Sequence, residues 1–108
     1  MLTGYDTSSP PIRNASGWLQ TNFSISENPG LKKGGYFYYL YLLAGTNLLI
    51  ESRGATPVPA NWRQATVDQL LSNQKGDGSW TNGSAVWLEN RKPLATAYAI
   101  LVLSMAVQ

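Results

Sequence analysis

The chain has no cysteine and no histidine. Without cysteine it forms neither a disulfide framework nor a thiolate metal site, and its redox compartment stays open. Without histidine there is no imidazole to serve as a base near neutral pH or as a metal ligand. Charge is also scarce. Asp, Glu, Lys and Arg make up 13% of the 108 residues, about half the roughly 25% of an ordinary soluble domain. Ser, Thr, Asn, Gln and Gly must keep the surface wet, or something must cover it. Long apolar runs are missing as well: the longest, from Ala97 to Val107, is interrupted by Ser104 and falls short of the ~18 residues of a membrane span. The opening Met-Leu-Thr-Gly-Tyr-Asp has neither a basic n-region nor an apolar h-region, so it does not read as a signal peptide.

What charge there is sums to +2 and is scattered, with Lys32-Lys33 and Arg91-Lys92 as the adjacent basic pairs. Two isolated pairs beside turns do not make the basic, aromatic-lined face that nucleic acid needs, so no nucleic-acid partner is expected. The six Tyr and four Trp give amphipathic surface of the kind that suits interfaces.

The length fits one small domain or a piece of a larger one. Residues 1–10 are polar and read as an N-terminal arm that orders only by docking. Ser9-Pro10-Pro11 opens a helix from about Pro11 to Phe23, with Ile12, Ala15, Trp18, Leu19 and Phe23 on one stripe expected to be buried. Asn28-Pro29-Gly30 and Gly34-Gly35 mark a loop. Tyr36 to Ile50 is apolar on nearly every side and too long for one strand. It is expected to be a helix that other structure covers all round, in which Gly45 costs about 1 kcal/mol relative to Ala unless it admits a close neighbour. After a proline-stiffened break, Asn61 caps a helix over about Trp62–Asn73, with Trp62, Ala65, Val67, Leu70 and Leu71 inward. Pro93 opens a last helix to about Val107, where small residues at Ala95, Thr96, Ala97 and Ala99 permit close packing and Ile100, Leu101, Leu103 and Met105 fill a core. The expected fold is all-α: about four helices in two α/α-hairpin repeats, repeat one over about 11–52 and repeat two over about 60–108. An offset of about 60 residues superposes Tyr38 on Tyr98, Leu40 on Ile100 and Leu43 on Leu103.

Between the third and fourth helices stands QKGDGSW. Gln74, Gly78 and Trp80, with Leu70 one turn earlier, resemble the QW motif of squalene-cyclase and protein-prenyltransferase β-subunit repeats. The final LATAYAILVLSMA is similar to the inner helix that follows the motif, and ENPGLKKGGYFYYLYLLAG resembles a variant of the preceding repeat. The resemblance runs from about Trp18 to Val107 and implies an incomplete α/α-toroid or solenoid. Thr66 and Val67 replace the basic and small residues expected where the motif starts. Physically, Gln74 suits the unpaired backbone of a helix end, Trp80 suits a lid across the turn, and Gly78 permits the chain reversal.

Chemistry is hard to build from these residues. The cyclases protonate substrate with an aspartate cluster, whereas Asp6, Asp68 and Asp77 are far apart here. The prenyltransferases hold zinc through Asp, Cys and His, and two of those types are lacking. Six carboxylates, Asp6, Glu27, Glu51, Asp68, Asp77 and Glu89, show no acid/base pairing in sequence. A calcium loop begun at Asp77 would need an acidic residue where Leu88 stands. Ser72 and Lys75 read as helix-end solvation, not as a nucleophile pair. No catalytic residue, metal ligand or cofactor is therefore expected, and the chain is not read as an enzyme by itself. Asn-X-Ser sequons stand at Asn14, Asn22 and Asn82; one or more is expected by chance in so Asn- and Ser-rich a chain, so they decide nothing about glycosylation.

The aromatic residues Tyr36, Phe37, Tyr38, Tyr39, Tyr41 and Tyr98 either pack in core and interface, which is favoured, or line an apolar ligand cavity. Three readings follow. In the first, the chain is a non-catalytic module for self-assembly or protein–protein interaction, whose partners are other copies in a closed ring or an open helical fibre. In the second, it is a fragment or subunit of a cyclase- or prenyltransferase-like enzyme. In the third, it binds an isoprenoid or another apolar ligand. Localisation is undetermined and leans to the extracellular space or cell surface.

Overall fold

The structure, a computed structural model, describes residues 9–108, so most of the segment read as an arm lies outside the described residues. The fold is all-α with four helices: α1 (Pro10–Asn22), α2 (Tyr36–Ser52), α3 (Trp62–Asn73) and α4 (Lys92–Ala106). Prolines mark the starts of α1 and α4, Asn61 and inward apolar positions mark α3, and the length of its apolar run marks α2. Among the described residues there is no strand, and one isolated antiparallel bridge joins Asn28 to Lys32. A short 3-10 turn, Val86–Leu88, interrupts the long loop before α4.

Helices α2 and α4 pack against each other, α3 lies on α4 with a smaller contact to α2, and α1 is peripheral. The core holds Tyr36, Phe37, Leu40 and Ala44 of α2, Trp62 and Leu70 of α3, the loop residue Trp80, and Ala95, Ala99, Val102 and Ala106 of α4. On α4 the buried row steps by four, three and four residues, the pattern of one helix face. Because that row is mostly alanine, α2 and α3 can approach closely. Of the bulky residues expected to fill the core, Leu103 and Met105 pack against it half-buried, whereas Ile100 is 57% and Leu101 48% exposed.

The expected offset of 60 residues does not match the pattern of burial. The offset of 60 pairs buried Leu40 with exposed Ile100. Burial instead matches Tyr36 with Ala95, Leu40 with Ala99, Leu43 with Val102 and Asn47 with Ala106, every pair 59 residues apart. The two helices share a buried face, displaced by one residue from the similarity in residue type.

Three other expectations fail for stated reasons. No residue of α1 is buried, and Trp18 of its apolar stripe is largely exposed. Ile12, Ala15 and Leu19 instead border an apolar groove against Leu49 and Ile50 of α2. On α3, Leu71 is exposed and Thr66 buried, because burial follows Trp62, Thr66 and Leu70, four residues apart. Helix α2 is not covered all round: Tyr38, Tyr41, Leu42 and Leu49 reach the surface.

Two polar contacts fix the connection from α2 to α3. Fully buried Asn47 donates Nδ2–H to the Val58 carbonyl and accepts the Val58 N–H on Oδ1, both at 2.9 Å. A side-chain amide thereby satisfies both backbone groups of a buried loop residue. The Glu51 carboxylate accepts from Arg63 at 2.6 Å and from the Trp62 indole at 3.1 Å. The Arg63 bond holds its pKa below the ordinary glutamate range.

Gly45 admits no close neighbour, since nothing lies within 4 Å of a Cβ built there. Gly45→Ala is therefore expected to stabilise the chain by about 0.5–1 kcal/mol through helix propensity alone. A higher urea midpoint at unchanged slope is the expected readout; a lower midpoint would mean that α2 needs the glycine.

Candidate functional site

The QKGDGSW turn is built as a structural junction. The last four carbonyls of α3 lack partners within the helix, and one of them, that of Leu70, accepts the Trp80 indole N–H at 2.9 Å. The Trp80 backbone N–H donates to Thr96 Oγ1 on α4 at 3.0 Å. Trp80 thus ties the end of α3 to the first turns of α4 while its ring fills the core. Gln74 donates to the Gly78 carbonyl at 2.9 Å, so the glutamine braces the turn and the tryptophan, not the glutamine, closes the helix end. Gly78 has φ +90, a conformation that side chains oppose. Asp77 accepts from the Ser79 N–H and hydroxyl, and its other oxygen accepts from Lys92 at 2.7 Å. Lys92, followed by Ser79, holds its carboxyl well below the usual range. The side chains of Trp80, Gln74, Asp77, Ser79 and Lys92 each hydrogen-bond within this junction.

A second junction was not legible in sequence. Glu89 is fully buried. Its Oε1 accepts the Phe37 N–H at 2.8 Å and its Oε2 the Tyr38 N–H at 2.9 Å. Asn82 Nδ2 donates to the same carboxylate at 2.8 Å and to the Lys33 carbonyl at 3.1 Å. The N-cap residue of α2 is Gly35, in a left-handed conformation and without a side chain to cap. A carboxylate from far along the chain supplies what the cap lacks and places negative charge at the positive end of the helix. The two salt bridges among the described residues lie elsewhere. The carboxylate is held by N–H donors instead.

The aromatic candidates separate into two groups. Tyr36 and Phe37 are core; the Tyr36 hydroxyl donates to the Ile25 carbonyl at 2.6 Å, and burial drives its pKa upward. Tyr39 is half-buried and donates to the Ser24 carbonyl, which anchors the loop before α2. Tyr38, Tyr41 and Tyr98 form a surface group with Trp87. Trp87 and Leu88 both have positive φ, 54° and 62°, a strained pair of non-glycine residues. The Trp87 ring lies over Gly35 so closely that a Cβ there would stand 2.1 Å from it. Trp87, Glu89, Asn82 and Gly35 were all missed as site residues. Glycine before an aromatic run was the one local sign of the close approach.

Among the described residues no group of three or more Asp, Glu, His or Cys could hold a metal ion. No described helix is long and apolar enough to cross a membrane. Compared with protein-family models, curated proteins and solved structures, the chain matches none.

Proposed function

We propose that the chain is a non-catalytic helical-repeat module that works by packing the uncovered face of α2 and α4 against further helical units, first among them copies of itself. The observation that carries this reading is the exposure of Tyr41, Leu42 and Leu49 on α2 and of Ile100 and Leu101 on α4. These helices carry one charged residue each, Glu51 and Lys92, both near an end. On α4 the bulky Ile100 and Leu101 face out, while Ala95, Ala99 and Ala106 make up most of its buried row. Tyr41, Leu42, Gly45, Leu49 and Met105 also line an open groove of about 310 Å³, suited to knobs from another helix. A side chain withdrawn from water there contributes about 1.5–3 kcal/mol. The QW-like turn supports an α/α-repeat origin, in which neighbouring units complete each other's apolar faces.

A second reading has its own support: α1 has no buried residue. An outer helix left uncovered also fits one section of a larger cyclase- or prenyltransferase-like toroid, in which the neighbouring units belong to the same protein.

Leu101→Asp separates assembly from folding, because Leu101 is already half exposed in the single chain. The variant is expected to keep its helical circular dichroism and to lose the associated species in light scattering. Unchanged association would contradict the reading. Tyr39→Asp, by contrast, removes the bond to Ser24 and is a test of folding, not of assembly.

A further inference from the structure

Three aromatic residues line one open hollow at the surface: Tyr38 of α2, Tyr98 of α4 and Trp87 of the 3-10 turn. Tyr38 meets Trp87 at 67° with centroids 5.4 Å apart, and Tyr98 at 81° with centroids 6.0 Å apart. Two rings packed steeply against a third in edge contacts form a stepped cup and not a flat platform. A sugar face or planar heterocycle would find no broad ring surface to stack on, whereas a compact rounded group meets all three. The faces of such rings carry partial negative charge and attract cations. Both cation–π contacts among the described residues use other rings, Lys33 on Tyr36 and Arg63 on Trp62.

The cup is also held in shape. Trp87 is pinned over Gly35 in a strained backbone. Two residues later Glu89 bonds the N–H groups of Phe37 and Tyr38, which fixes the turn to the first turn of the helix that carries Tyr38. Strain of this kind persists only where its surroundings hold it, and rings fixed in advance lose little freedom on binding.

We propose that Tyr38, Trp87 and Tyr98 form a binding site for a quaternary ammonium group of the choline type. The hollow, about 360 Å³ and broadly open to solvent, leaves room for the methylated head against the rings while the rest of the ligand stays in solvent. The site adjoins the proposed assembly face, since Tyr98 packs on Tyr41 with centroids 5.9 Å apart, and it is tested at protein concentrations where association is lowest.

The experiment is a titration of the whole chain with choline chloride, read by tryptophan fluorescence and by shifts of the aromatic NMR signals. 3,3-Dimethyl-1-butanol serves as the uncharged match in shape, with sodium chloride at equal ionic strength as the control. A saturable response at roughly millimolar choline is expected, at least about tenfold weaker for the neutral alcohol, as befits a partly exposed cation–π site without an anion. Tyr98→Leu, at a half-buried position, should weaken choline binding about threefold or more with unchanged circular dichroism. Retention on phosphatidylcholine vesicles over phosphatidylglycerol vesicles would assign the group to a lipid head; response to free choline alone would assign it to a small soluble cation. Equal response to the neutral alcohol, no saturable response up to about 100 mM choline, or unchanged affinity in Tyr98→Leu would overturn the proposal.

Discussion

Glu89→Ala is expected to lower stability by about 2–4 kcal/mol, although Glu89 is one carboxylate in a long polar loop. The substitution removes the acceptor of both first-turn N–H bonds of α2, those of Phe37 and Tyr38. It also removes one of the two acceptors of Asn82 Nδ2. A buried donor left without its partner costs about 1–3 kcal/mol, and the favourable charge at the helix N-terminus is lost with it. The losses share one site, so they do not simply add. Glu89→Gln keeps one acceptor oxygen and should fall between wild type and alanine. Urea unfolding followed by circular dichroism gives the answer, and an alanine variant with a wild-type midpoint would mean that water caps α2 equally well.

Trp80→Ala should cost about 3–5 kcal/mol, the range for a large aromatic removed from a core. The residue is 3% exposed and touches the packing of both α3 and α4. Its truncation opens a cavity and also leaves the Leu70 carbonyl without the indole N–H. Trp80→Phe separates the two effects: it retains most of the ring volume, so its loss measures chiefly the hydrogen bond and should be about 1–2 kcal/mol. Unchanged melting in Trp80→Ala would count against the junction and against the reading of QKGDGSW as a structural motif.

The helices were legible because local signals specify them. Prolines stand at the starts of α1 and α4, and the period of apolar residues separates α3 from its loops. The inward faces were less legible, and α4 explains why. Residue size predicted Ile100 and Leu101 inside, but what decides burial is how closely a neighbour approaches, and alanines allow the closest approach. Hydropathy cannot orient a helix that is apolar all round. The QW-like residues were expected to brace a helix end through Gln74, but the bond to the helix end belongs to Trp80. Glu89 was beyond reach because its partners lie about fifty residues earlier, at backbone atoms that carry no residue-specific signal. Trp87 was hidden for a related reason. Its place in the aromatic group depends on a left-handed backbone that nothing in Ala-Val-Trp-Leu announces.

The measurement that bears most directly on the account is the native mass of the wild-type chain across about a hundredfold dilution, with electron microscopy of the most concentrated sample. The account predicts a mass well above that of the 11.8 kDa chain, falling on dilution, with rings or fibres in the images. A folded monomer at every concentration, with its apolar α2 and α4 residues still open to water, would contradict it.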